Sequence, residues 1–269
     1  GFALSQNNLG IIYENGHGVP KDYKQAGAWY HKAAEKGNAE GQYNLAVLYM
    51  NGNGMPKDIQ QAVFWFLKAA NQGDLDAQNN LAVIYERGDE IPKDLNAAIQ
   101  WYTKAALNGS ALAQTNLGVL YMEGEPSVKD SERALYWFKK AAEQGNVKAL
   151  NNLGYLYERG EGTKQNFQQA LYWYTQAAEL GFPMAQNNLG LLYSNEASGL
   201  KNNEKALAWF KKSADQGYVL AQINLGMLYL QGTGVKKNMH RAKEWIGKAK
   251  DSGSTEAMQL WNTFKLWKY

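Results

Sequence analysis

The chain contains no cysteine. Disulfides and cysteine-ligated zinc or iron–sulfur centres are therefore excluded, while the compartment stays open, because a cysteine-free chain folds in cytosol and periplasm alike. No run of about 18 apolar residues occurs, so no transmembrane helix is expected. Arginine is scarce. Arg87, Arg133, Arg159 and Arg241 are the only four, far apart, and the net charge is only +3. Nucleic-acid binders concentrate positive charge and favour arginine for bidentate contacts, so no nucleic-acid partner is expected. The three histidines, His17, His31 and His240, have no second ligand at metal spacing, and neither a metal nor a cofactor site is expected. What remains is a chain of 269 residues, 45% apolar, with enough material to bury a core.

The most prominent feature is a period. Trp29, Trp65, Trp101, Trp137, Trp173, Trp209 and Trp245 recur every 36 residues without a slip. Leu9, Tyr13 and Gly37 each begin a series of the same length and spacing, giving seven copies of one unit. A register number below is the position in the first copy. Apolar or small residues at Ser5, Leu9, Ile12 and Tyr13 fall on one face of a helix expected over about 3–15. Ala26, Trp29, Tyr30, Ala33 and Ala34 form the stripe of a second, over about 22–36. Asp22, Asp58, Asp94, Asp130, Asn166, Asn202 and Asn238 stand at the start of every second helix, where a short side-chain oxygen can accept the free backbone N–H groups. The Gly37 series sits where that helix must stop. Glycines at 16, 52, 88, 124, 160 and 232 are expected to end the first helix. The sixth copy has Glu196 there, with its glycine moved to Gly199, and its loop is expected to differ. A glycine or alanine beside the leucine (Gly10, Ala46, Ala82, Gly118, Gly154, Gly190, Gly226) implies close approach between neighbouring first helices.

One helix pair cannot bury both stripes, but stacked pairs can. The expected fold is all-α: an α/α solenoid of seven 36-residue helix-pair repeats. It would form a single domain over 1–269, with repeats at about 3–38, 39–74, 75–110, 111–146, 147–182, 183–218 and 219–254 and a C-terminal capping helix within 255–269. In the cap, Trp261 takes the leucine position and Phe264 the next core position. Because the chain opens inside a repeat, an upstream segment is expected to have been removed.

"AQNNLAVIYERG" (77–88) and "AIQWYTKAALNG" (98–109) resemble the Sel-1-like repeat (SLR), a relative of the tetratricopeptide repeat, and the resemblance covers the whole chain. It implies that the solenoid is a right-handed α/α superhelix and a protein-binding scaffold or adaptor without enzymatic activity, holding a protein or peptide in a concave groove. It further implies a bacterial protein of the envelope, secreted or engaged with a host, with a periplasmic or secreted location favoured over a cytoplasmic one. The alternative function is an immunity or inhibitor protein that neutralises a toxin enzyme.

Counting 100° per residue from the leucine, registers 4, 7, 11 and 14 of the first helix point away from the core face and should line that groove. The candidate partner-binding residues are Tyr43, Met50, Asn79, Val83, Glu86, Thr115, Met122, Asn151, Tyr155, Glu158, Asn187, Leu191, Ile223, Met227 and Leu230. Odd repeats pair asparagine with glutamate seven residues on (Asn7 with Glu14, Asn79 with Glu86, Asn151 with Glu158), whereas even repeats place Met50 and Met122 there. Amides would bond a bound segment's backbone and methionines adapt to its side chains; the competing reading is that these residues pack rung to rung. The Asn8 series, one residue further on, reads as structural, bonding a neighbouring loop's backbone. A second candidate surface is the apolar C-terminal wall of Met184, Leu191, Leu220, Ile223, Met227 and Leu230. Exposed, it would make a homodimer contact on an otherwise monomeric chain; alternatively the final helix, with Leu260, Leu266 and Trp267, covers part of it.

No catalytic residue is assigned. Ser198-Gly199-Leu200-Lys201 has the serine–lysine spacing of penicillin-recognising enzymes, but S-D-N and K-T-G are absent, so such an enzyme is only a remote reading.

Overall fold

Each unit folds as the two helices its punctuation implies. The computed structural model describes all residues, Gly1–Tyr269. The first helices are α1 (Phe2–Asn15), α3 (Ala39–Asn51), α5 (Leu75–Arg87), α7 (Ala111–Glu123), α9 (Val147–Arg159), α11 (Pro183–Ser194) and α13 (Val219–Gln231). The second helices are α2 (Tyr23–Glu35), α4 (Ile59–Asn71), α6 (Leu95–Leu107), α8 (Ser131–Glu143), α10 (Phe167–Glu179), α12 (Asn203–Asp215) and α14 (Met239–Asp251), and α15 (Thr255–Thr263) follows. There is no strand, and no helix is long and apolar enough to cross a membrane. The chain forms two compact units, Gly1–Lys129 with α1–α7 and Asp130–Tyr269 with α8–α15. Within each, every helix packs on the next in chain order.

The caps behave as their chemistry dictates. All seven Asp or Asn residues of the Asp22 series accept a first-turn backbone N–H of their helix. The Gly37 series is left-handed throughout, with φ between 77° and 95°, the conformation that lets a helix end and the chain turn at once. The residue after it then caps the next first helix: Asn38, Asp74, Ser110, Asn146 and Ser254 each accept a backbone N–H. The sixth loop differs as expected. α11 stops at Ser194, and a 3-10 turn, Glu196–Ser198, leads to a left-handed Gly199. The fourth loop also departs, because Gly124 is extended instead of left-handed.

The core is made by alanines, leucines and, in the first six repeats, one ring each, with Ile246 in that place in the seventh. Leu45, Leu81, Leu117, Leu153, Leu189 and Leu225 are fully buried, as are the rings of register 30: Tyr30, Phe66, Tyr102, Phe138, Tyr174 and Phe210. Of the tryptophans, which mark the period best, Trp65, Trp137 and Trp245 are buried with this core and the other four are half-buried at its margin. Lysines three residues on cover several of them, with Lys32, Lys104, Lys212 and Lys248 within 4.9 Å of the ring centres of Trp29, Trp101, Trp209 and Trp245.

The small residue beside the leucine serves a contact other than the one expected. The close approach is to the ring of the repeat's own second helix. A Cβ added to Gly154 would lie 2.5 Å from Tyr174, and one added to Gly190 would lie 2.5 Å from Phe210. The C-terminal cap also differs in detail. Trp261 packs on the last repeat, but Phe264 is 39% exposed. Lys265 turns the chain through the left-handed region, and Leu266 folds back into full burial instead.

Gly154→Ala is expected to destabilise the fold by about 1 kcal/mol in urea denaturation, since overpacking of ~1–3 kcal/mol exceeds the ~1 kcal/mol gain in helix propensity. Lys265→Gly should stabilise by roughly 1 kcal/mol, by relieving a left-handed side chain.

Candidate functional site

A first helix inside a stack is buried on two flanks, against its own second helix and against neighbouring repeats. The assumption of one buried face therefore fails at register 7. Asn7, Asn79, Asn151 and Asn187 are buried, and each accepts a hydrogen bond from the register-8 asparagine of the next repeat. The Nδ2 atoms of Asn44, Asn116, Asn188 and Asn224 donate to the Oδ1 atoms of Asn7, Asn79, Asn151 and Asn187 over 2.9–3.0 Å. The Asn8 series is thus structural, but its partners are side chains and not loop backbone. Thr115 is buried and donates to the Ala111 carbonyl of its own helix, and Tyr43 is half-buried against Phe66. None of these amides stands free in a groove.

Register 14 is committed too in the first, third and fifth repeats, whereas the seventh has Leu230 there and Ile246 in place of the tyrosine. Glu14, Glu86 and Glu158 each accept a hydrogen bond from the tyrosine sixteen residues on, Tyr30, Tyr102 and Tyr174, over 2.5–2.8 Å. Burial, then the neighbouring carboxylate, pushes the Tyr30 and Tyr102 phenols well above the ordinary value near 10, and Tyr174 is raised by burial and Glu158 likewise. In even repeats the ring is phenylalanine and register 14 is Met50, Met122 or Ser194. The match of Tyr with Glu and of Phe with a residue needing no donor is written in the sequence, at a spacing of sixteen. A second register is equally coupled. Buried Gln42, Gln78, Gln114 and Gln186 donate to the carbonyls of Ala34, Ala70, Ala106 and Ala178, which end the preceding second helix.

Registers 4 and 11 do remain outside. Tyr155 and Leu191 are 38% and 44% exposed, and Val83 and Met227 are half-buried. Met122, Ile223 and Leu230 are buried, the last two in the cluster that also takes Leu266. Ile223 and Leu230 are thus part of the second unit's core, while Met184, Leu191, Leu220 and Trp267 stay exposed.

Several of the candidates line clefts. In the first unit a cleft of about 310 Å³ opens among Met50, Ile59, Asn80, Val83, Ile84 and Arg87. A second, of about 480 Å³, adjoins it, sharing Val83 and Arg87 and adding Glu86, Leu95, Val119 and Glu123. Ion pairs flank both: Lys57 with Glu90, and Lys93 with Glu125 at 2.6 Å. In the second unit a cleft of about 410 Å³ is lined by Glu158, Arg159, Glu161, Phe167 and Asn195. The serine–lysine pair does not assemble. The buried Ser198 hydroxyl lies 2.7 Å from the Asn195 carbonyl and 3.2 Å from that of Leu192, while Lys201 is drawn onto Glu196.

The tyrosine–glutamate pairs lead to two expectations. Tyr102→Phe should cost about 1 kcal/mol, the value of a hydrogen bond to a charged, half-exposed acceptor, and adding Glu86→Met should recover much of it by reproducing an even repeat; a double-mutant cycle in urea measures both. The phenols' contribution is complete below about pH 10 and falls above it, because unfolded tyrosines lose their protons there and folded ones keep them. The loss approaches ~1.4 kcal/mol per pH unit for each tyrosine, and Tyr102→Phe should make alkaline unfolding correspondingly shallower.

The comparisons agree with this geometry. The Sel1 repeat model matches residues 3–38, 39–74, 75–110, 111–146, 147–182, 183–218 and 219–254. None of the curated proteins matches the chain. Among solved structures, a protective antigen present in uropathogenic Escherichia coli strains, displaying an SLR fold, is 37% identical with a TM-score of 0.83, over 95% of this chain and 55% of that one. The chain thus spans about half the length of that antigen. A Sel1 repeat protein from Oxalobacter formigenes is 34% identical with a TM-score of 0.81, over 98% of this chain and 76% of that one. An immunity protein from Pseudomonas aeruginosa, 24% identical with a TM-score of 0.52 over 79% of this chain and 80% of that one, shares the fold alone. With seven consecutive repeats matched and all of them helical, the chain belongs to the Sel1 repeat family.

Proposed function

We propose that the chain is a protein-interaction scaffold that holds a segment of a partner protein against the first helices of its N-terminal unit. Sel1 repeat proteins are generally non-enzymatic scaffolds of this kind. The observation that carries the reading is the adjoining pair of clefts, which share Val83 and Arg87. Their floor combines Met50, Val83, Ile84 and Val119, apolar side chains that a bound segment would cover, with polar groups at the rim. Met50 adds an unbranched thioether that fits varied neighbours.

The wall differs from the one the helical wheel describes. Asn79, Thr115, Asn151 and Asn187 support the stack and present nothing to a partner, whereas Val83, Glu86 and Met50 remain available. Glu158, Tyr155 and Leu191 offer a smaller surface on the second unit.

A photo-crosslinking residue at Val83 should capture the partner in cells of the native organism, and one at Tyr172, exposed on a second helix, should not. With the captured partner purified, Val83→Arg is expected to weaken its binding about tenfold or more while circular dichroism is unchanged. Equal capture at both positions, or unchanged affinity, would place the interface elsewhere.

A further inference from the structure

We infer that the two clefts of the first unit read a basic–apolar step in an extended partner segment: a lysine or arginine side chain in the larger cleft and an apolar one in the smaller. The inference rests on the scaffold reading above and gives the partner its chemistry.

Charge favours this occupant. The larger cleft is lined by three carboxylates, Glu86, Glu123 and Glu125, against two cations, Arg87 and Lys93, on a chain whose net charge is +3. The local sign thus opposes that of the whole molecule. Lys93 is taken up by Glu125, which leaves Glu86 and Glu123 to face the cleft without a cationic partner. Glu86 is also fixed in place. Tyr102 donates to its Oε2 over 2.7 Å, so Oε1 is held ready, and little side-chain freedom is lost when a donor arrives. Val83, Leu95 and Val119 supply an apolar path for the aliphatic stem of a lysine or arginine, whose head would reach the carboxylates.

The smaller cleft has a different character. Its charges balance, two cations (Lys57, Arg87) against two carboxylates (Asp89, Glu90) with Lys57 paired to Glu90, and Met50, Ile59, Val83 and Ile84 line much of the rest with carbon. Arg87 stands on the wall between the two clefts and makes no ion pair, and its planar donors are placed for a backbone carbonyl of a chain crossing from one cleft to the other. The same Glu–Arg step recurs at Glu158 and Arg159 in the second unit's cleft, where Glu158 is held by Tyr174.

The test uses the full chain and two fluorescent peptides, one carrying Lys–Leu steps in a serine–glycine background and one carrying Glu–Leu steps, followed by anisotropy. The lysine peptide should bind about tenfold tighter than the glutamate peptide and weaken with added salt. Glu86→Gln should reduce that preference roughly fivefold. Tyr102→Phe, which keeps the charge but frees the carboxylate, should reduce it to a smaller extent. Glu143→Gln, an exposed carboxylate on α8, should not change it. The inference is overturned by failure of the lysine peptide to bind at about 1 mM, by equal affinity for both peptides, or by indifference to Glu86→Gln. If the glutamate peptide binds better and Val83→Arg abolishes that binding, the groove stands and only its charge preference is wrong; if Val83→Arg leaves peptide binding intact, the groove reading falls as well.

Discussion

A first helix in the middle of a stack has to satisfy two buried flanks at once, and most of the residue choices here follow from that constraint. Towards its own repeat it offers a leucine and a small residue, between which the ring of the second helix seats. Towards neighbouring repeats it offers short amides, because asparagine can bridge closely spaced helices while meeting its own hydrogen-bonding needs. The result is two Asn–Asn bonds at 2.9–3.0 Å in each unit beside its apolar core. Only what lies outside both flanks, chiefly registers 4 and 11 and part of 14, is left for partners.

Burial of a phenol needs an acceptor, and burial of a phenyl needs none. The chain meets these two conditions alternately. Tyr30, Tyr102 and Tyr174 have Glu14, Glu86 and Glu158; Phe66, Phe138 and Phe210 belong to repeats whose sequences carry Met50, Met122 and Ser194 at that register. The apparent acid–methionine alternation of the wall is therefore the outward sign of an alternation inside the core. Glu86 belongs to both: it completes a buried hydrogen bond with one oxygen and leaves the other at a cleft.

The fold could be read from the sequence almost in full, because periodicity, caps and stop signals all pointed the same way. The Asp22 series caps its helices and the Gly37 series ends them. The wall was less legible. A helical wheel assigns one angle to each residue and knows nothing of how many neighbours the helix has, so Asn79 and Asn151 fell on the outside. The tryptophans divide: Trp65, Trp137 and Trp245 are buried with the core, while the other four are half-buried at its margin. The tyrosine–glutamate pairing could have been found by comparing register 30 with register 14. The clefts could not, because their shape depends on the loops after α5 and α7, whose glycine patterns break with those of the other repeats.

The Glu–Tyr bonds and the Gln42–Gln72 bond each close within a single repeat, whereas four of the joints to a following repeat draw on an asparagine pair at the same place. Matched partners thus travel together when a unit is copied or lost. Unequal recombination between these near-identical segments can lengthen or shorten the array in frame without stranding a buried polar group, and the length of such a protein becomes a quantity that selection can adjust in whole steps.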